Sequence, residues 1–131
     1  MKKLVFLLFM LSSAYVGQAQ ADLDSLNAVW QDQSQPDSTR VKAYSDYIWN
    51  GYLYSRPDTV ELLAKALHTY AEIHKYPKAS AQGFNLQGIA NDLQGNYLRA
   101  LEYYQKSLAI QEETRDKIGI AGSLGNIGSN Y

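Results

Sequence analysis

The chain reads as an all-α solenoid of antiparallel helix pairs, about two and a half units long and stopping inside the third. Three observations predict this class. The stretch from Ala81, AQGFNLQGIANDLQGNYLRALEYYQKSL, restarts forty residues later as AGSLGNIGSNY and stops at Tyr131. Apolar residues recur at spacings of three and four, and no segment alternates with the period of two that a half-buried strand requires. Polar, proline- or glycine-bearing breaks separate these stretches, as at Gln31 to Asp37, Ser55 to Asp58 and Gln94 to Asn96. Self-similarity at a period of 20 to 50 residues marks arrays in which each unit buries its apolar face by stacking on the next. The restart before Tyr131 makes the third unit incomplete, and the missing part is expected in a longer protein.

The N-terminus has the parts of an export signal. Met1-Lys2-Lys3 precedes the apolar run Leu4 to Leu11, and small residues follow at Gly17, Ala19 and Ala21. Residues 1–21 are expected to form the leader, with cleavage after Ala19 or Ala21. The run falls short of the ~20 residues that span a bilayer, so export to a periplasmic or other extracytoplasmic space is expected, and any membrane tether is expected beyond Tyr131. Without the leader, ten basic residues face thirteen acidic ones. That balance makes nucleic acid and anionic membrane surfaces poor partners. The chain has no cysteine, which removes disulfides, a cysteine-based metal framework and lipid attachment through cysteine.

The elements follow in order. Leu23, Leu26, Val29 and Trp30 predict a short amphipathic helix after Asp22, within an N-terminal segment 22–37. Asp37 or Ser38 is expected to cap the next helix, whose stripe is Val41, Tyr44, Tyr47, Ile48 and Tyr52, with Leu53 a candidate to extend it. Asp58 reads as the N-cap of a helix from Thr59 to about Lys75, with Glu61 completing a capping box. Val60, Leu63, Ala64, Leu67, Tyr70 and Ala71 form its apolar face. Tyr76-Pro77 ends that helix. In the second unit Gly95 reads as the left-handed residue after a helix end, and Tyr97, Ala100, Leu101, Tyr104 and Leu108 line the helix that follows.

The pattern Ala81, Gly88, Gly95-Asn96-Tyr97, Ala100-Leu101, Tyr104 and Ser107-Leu108 resembles the tetratricopeptide repeat. The resemblance implies that Gly88 and Ala100 are the small positions where paired helices touch, with Tyr97 and Tyr104 filling the gaps beside them. The third unit matches at Ala121, Ile127, Gly128 and Tyr131. In the first, Trp49-Asn50-Gly51 aligns with Leu86-Gln87-Gly88. Repeats are expected over 38–131, at about 38–78, 79–117 and an incomplete 118–131. The leader and repeat type also resemble N-terminal sensor regions of exported bacterial signalling proteins of the adenylate/guanylate cyclase or histidine kinase type. This implies a protein-interaction scaffold serving as the sensory segment of a larger signalling protein. Two alternatives stand beside it: a regulatory fragment of such an enzyme, and a small secreted adaptor.

No catalytic constellation is legible, and no enzyme activity, cofactor or metal is expected of these residues. Gly119, Gly122, Gly125 and Gly128 lack the Lys-Ser or Lys-Thr ending of a phosphate loop and have no strand before them. They read as close-approach positions on a helix. His68 and His74 are six apart, whereas a metal pair on one helical face needs three or four, and both read as rim residues. Glu112, Glu113 and Asp116 read as a solvated rim. Ser123 does not sit in a Gly-x-Ser-x-Gly elbow. The resemblance implies a ligand groove along the first helices of successive units, at Gln82, Asn85, Ile89 and Asp92 in the second and Gly122, Gly125 and Ser129 in the third. That set lacks the lysines and arginines that clamp a carboxylate, so an extended peptide or helix of a protein partner is expected. Further repeats in cis, or self-association through the open C-terminal helix, are the other expected contacts.

Overall fold

The computed structural model describes residues 2–131, with side chains from Tyr15 onward. It is all helix among those residues: α1 (Lys2–Gln31), α2 (Asp37–Gly51), α3 (Pro57–Ile73), α4 (Pro77–Leu93), α5 (Tyr97–Glu113) and α6 (Lys117–Ser129). Each helix packs on the next in chain order, and α2 also touches α4. The result is a solenoid-like array of antiparallel pairs.

The spacing is regular. From Asp37 onward helices begin at Pro57, Pro77, Tyr97 and Lys117, each twenty residues after the last. Three of the connections close identically. Tyr76 N–H donates to Ala71 C=O, Asn96 to Asn91 and Asp116 to Gln111, at 2.7, 2.9 and 2.9 Å. One bond inside these, Lys75, Gly95 and Arg115 donate to Glu72, Asp92 and Glu112. This paired closure requires a left-handed residue, and φ is 59°, 78° and 56° at Lys75, Gly95 and Arg115. Gly95 behaves as its sequence predicts, while Lys75 and Arg115 adopt the same conformation with a Cβ.

The helix starts differ from expectation, and proline is the reason. Its fixed φ suits the first helical position, so α3 begins at Pro57 after Arg56, and Asp58 falls inside the first turn. The expected capping box is therefore not made: Glu61 instead accepts from Arg99 and from the Tyr103 hydroxyl. Likewise α2 follows Pro36 with no side-chain cap, and Asp37 is its first residue. The one side-chain cap among the described helix starts is Asp116, which accepts from Gly119 N–H at 3.1 Å. The expected short helix after Asp22 is the last part of the longer α1. Gln18 and Gln20 donate to Asp22 and Asp24 one turn on, carrying the helix through the expected cleavage region. The leader reading rests chiefly on residues 1–14, whose side chains lie outside the described residues. Among those described, no helix is long and apolar enough to cross a membrane.

The core sits between α2, α3 and α4, built from Val41, Tyr44, Ile48, Val60, Leu67 and Leu86 with smaller Ala64, Ala71 and Ala90. It is extended by α5, whose Ala100 and Tyr104 are buried. A Cβ on Gly88 would lie 2.5 Å from Cδ1 of Tyr104, so the tyrosine ring fills the space that glycine leaves. Tyr97 does not share that role: it is 58% exposed. Leu101 and Leu108 are half-buried, and Ala121, Gly128 and Tyr131 are exposed. A second close approach, not anticipated, is Gly83, where a Cβ would come within 2.9 Å of the His68 Cβ. The glycines of α6 divide. Gly119 abuts Gln111, whereas Gly122, Gly125 and Gly128 have nothing near them, so the reading of all four as close-approach positions fails for three.

Two stability changes follow. Lys75→Gly and Arg115→Gly remove the strain of a left-handed Cβ, and each is expected to raise unfolding free energy by about 0.5–1 kcal/mol in denaturant titrations. Gly88→Ala drives a methyl into Tyr104 and is expected to lower it by about 1–3 kcal/mol.

Candidate interaction surface

The odd-positioned members of the array after the N-terminal helix, α2, α4 and α6, run in the same direction and share an open side. Forty residues separate their starts, so Lys42 on α2 corresponds to Gln82 on α4, and Ile48 to Gly88. The sequence alignment of Gly51 with Gly88 is thus shifted by three residues. Gly51 instead ends α2, where a Cβ would lie 3.0 Å from Leu23.

Gln82 lies at the centre of the surface. On one side of it a hollow of about 400 Å³ opens between α2 and α4, bounded by Ser38, Val41, Lys42, Asp46 and Lys78. On the other, a smaller hollow of about 210 Å³ lies between α4 and α6, bounded by Lys78, Asn85, Asp116 and Ile118. Asn126 Nδ2 donates to Asn85 Oδ1 at 2.9 Å, tying α6 to α4 across this second hollow. Lys42 pairs with Asp46 at 2.6 Å. Helical spacing puts Trp49 on the same face of α2, seven residues beyond Lys42, and its indole is 44% exposed.

Of the residues expected in the groove, Gln82 and Asn85 come together there. Ile89 packs against the core. Asp92 lies beside the Tyr104 hydroxyl, whose pKa is raised by burial first and by this carboxylate second. Ser129 is exposed and donates to the carbonyl of Asn126 on its own helix. Gly122 and Gly125 are exposed and add no side chain. Lys42, Asp46, Trp49 and Lys78 were missed. Counting forty residues back from Gln82 gives Lys42 directly, so the signal was present once the first unit was placed in register.

A separate polar cluster ties α1, α2 and α3 together. The Asp37 carboxylate accepts from the Tyr70 hydroxyl at 2.5 Å, from His74 Nδ1 at 3.1 Å and from Arg40 at 3.4 Å. Arg40 also donates to the Tyr70 hydroxyl and to the Trp30 carbonyl, at 2.7 and 3.0 Å. Its guanidinium lies over the rings of both, 5.2 Å from the Tyr70 centroid and 5.3 Å from that of Trp30. Trp30 in turn stacks on Tyr44 at 4.3 Å. The Tyr70 hydrogen bond holds the Asp37 carboxyl below its ordinary value. Nearby, Tyr47 and Tyr52 share a 2.8 Å hydroxyl contact that, with burial, pushes Tyr47 up to about 12.

The histidines are engaged elsewhere. His68 Nδ1 lies 2.7 Å from Ser80 Oγ with its ring against Phe84, and His74 stacks on Tyr70. Among the described residues no three His, Cys, Asp or Glu side chains gather as metal ligands. Glu112 and Glu113 are exposed, while Asp116 caps α6. Ser123 is buried and donates to Gln111 Oε1 at 2.7 Å. No protein-family model, curated protein or solved structure matches this chain.

The Asp37 cluster makes stability pH-dependent with a defined sign. A carboxyl depressed in the folded state contributes fully above its unfolded value, near 3.8, and that contribution is lost as pH falls below it. Asp37→Asn is therefore expected to melt below the parent protein at about pH 6, with the gap closing toward about pH 2.5. Melting temperatures of both proteins across this range measure it.

Proposed function

We propose that the chain is a tetratricopeptide-type scaffold that binds a protein partner through the shared open face of α2, α4 and α6. The observation that carries this reading is the surface itself. Lys42, Asp46, Trp49, Lys78, Gln82 and Asn85 project from successive parallel helices, and the core lies on the other side of those helices.

The chemistry favours a peptide or helix of mixed character. Side-chain amides at Gln82 and Asn85 can donate and accept, so they suit the backbone of an extended segment. Lys42 is partly neutralised by Asp46, which leaves Lys78, without an ion pair among the described residues, as the cation between the two hollows. One cation beside amides does not make the bidentate clamp that a carboxylate terminus or phosphate favours. Trp49 supplies the rigid aromatic area on which binding energy at interfaces tends to concentrate. As the sequence resemblance implies, such a scaffold would serve as the sensory segment of a larger exported signalling protein.

Peptides selected against the chain by display, then titrated with tryptophan emission as the readout and the Trp49 part identified by its loss in Trp49→Phe, test the proposal. Binding is expected to shift that emission, and Lys78→Ala with Gln82→Ala is expected to weaken it about tenfold while leaving the melting temperature unchanged. Selected peptides that bind the double variant as tightly as the parent would place the site elsewhere.

A further inference from the structure

The outward side of α3 is unlike that of its counterpart α5. Leu62, Ala66, Thr69 and Ile73 fall on one face of the helix, opposite the buried row Val60, Ala64, Leu67 and Ala71. Leu62 is 71% exposed and Ile73 72%. Forty residues later the same positions on α5 are Glu102, Lys106, Ala109 and Glu113, an ordinary solvated face. Nothing in the repeat therefore requires the apolar row on α3. Trp30 and Tyr70 border it on one flank and Lys65 on the other, forming a shallow apolar groove.

We propose that this groove is the interface of a homodimer in which the α3 helices of two copies pack antiparallel about a two-fold axis. The row reads alike from either end. In antiparallel register Leu62 of one copy meets Ile73 of the other, and Ala66 meets Thr69, so small residues lie at the axis and bulky ones fill both ends. An isologous contact needs that self-complementarity.

Charge selects the second copy as the occupant. Asp58, Lys65 and Glu72 lie on one flank of the row at spacings of seven, with alternating sign. An antiparallel two-fold brings this flank against itself. Lys65 of one copy then lies two residues, about 3 Å along the axis, from the level of Glu72 of the other, within reach of its side chain. Lys65 has no ion pair among the described residues. A parallel pair would instead turn the charged flank toward the Trp30 and Tyr70 side and leave these charges unmatched. The face points away from the groove of α2, α4 and α6, so the inference stands independently of the proposed function.

Sedimentation of the 131-residue chain over a concentration series tests it. A reversible dimer is expected. Leu62→Glu puts a carboxylate against Ile73 and is expected to raise the dissociation constant about tenfold or more, with helicity unchanged because Leu62 is exposed. Lys65→Glu is expected to weaken the dimer, and Lys65→Glu with Glu72→Lys to restore it. A monomer at every concentration overturns the proposal and leaves the groove to a different protein. A dimer that survives Leu62→Glu but is lost with Leu124→Glu on α6 overturns it in favour of the C-terminal face.

Discussion

The geometry of the array rests on one repeated turn. Where a six-residue closure with a left-handed residue ends each of α3, α4 and α5, the helix can be neither extended nor shortened without losing the paired bonds that satisfy its last carbonyls. Helix length and loop length are then both fixed, and so is the phase with which each helix meets the next. That phase puts Gly83 over α3 and Gly88 under Tyr104. It also turns Gln82 and Asn85 to the open side. Only Gly95 occupies the turn without strain; Lys75 and Arg115 hold it because the packing on either side leaves the backbone no alternative.

With the backbone repeated, the chemistry of successive interfaces is free to differ, and it does. Between α3 and α4 the meeting residues include Leu67, Ala71 and Gly83, an apolar contact. Forty residues on, between α5 and α6, the same positions are Ser107, Gln111 and Ser123. These form a buried chain of hydrogen bonds: Gln111 donates to Ser107 at 3.0 Å, Ser123 donates to Gln111 at 2.7 Å, and Ser107 donates to the Ala81 carbonyl at 2.9 Å. The network fixes register because each group needs its partner. Each of its bonds exchanges one with water and contributes a net of about 1 kcal/mol.

The same contrast explains what the sequence revealed. Fold class, the order of helices, Gly88 against Tyr104 and the left-handed Gly95 were legible, because each follows from local residue type or a short repeat. Asp37 and Glu61 were misread as caps because a carboxylate near a helix start satisfies the local rule equally well. Their actual partners, Tyr70 and Arg99, lie 33 and 38 residues away. No local pattern encodes such a pairing. On the open face, Gln82 and Asn85 were found and Lys42 was not, and the cause was a glycine. Gly51 drew the alignment to itself, although at the end of α2 it meets Leu23 rather than doing what Gly88 does.

These differences make the two hollows beside Gln82 mechanically unequal. The wall formed by α2 is held by an apolar core and by the Asp37 and Arg40 cluster, so its side chains are presented by a rigid support. The wall formed by α6 rests mainly on α5 through the polar network, with the Asn85–Asn126 bond as its hydrogen bond to α4. Gly122 and Gly125 add an interior cost of about 1 kcal/mol each relative to alanine and, like Gly128 in the last turn, gain no contact in return. Ile118 is 88% exposed, so hydrophobic burial does not offset that cost there. Opening of α6 is therefore expected to cost less than opening of α4, which packs on both α3 and α5. A ligand that spans both hollows must order α6 as it binds, whereas one confined to Lys42, Trp49 and Gln82 meets a surface already formed. Affinity on the α2 side is set by contacts, and on the α6 side by contacts less the free energy of holding the helix in place.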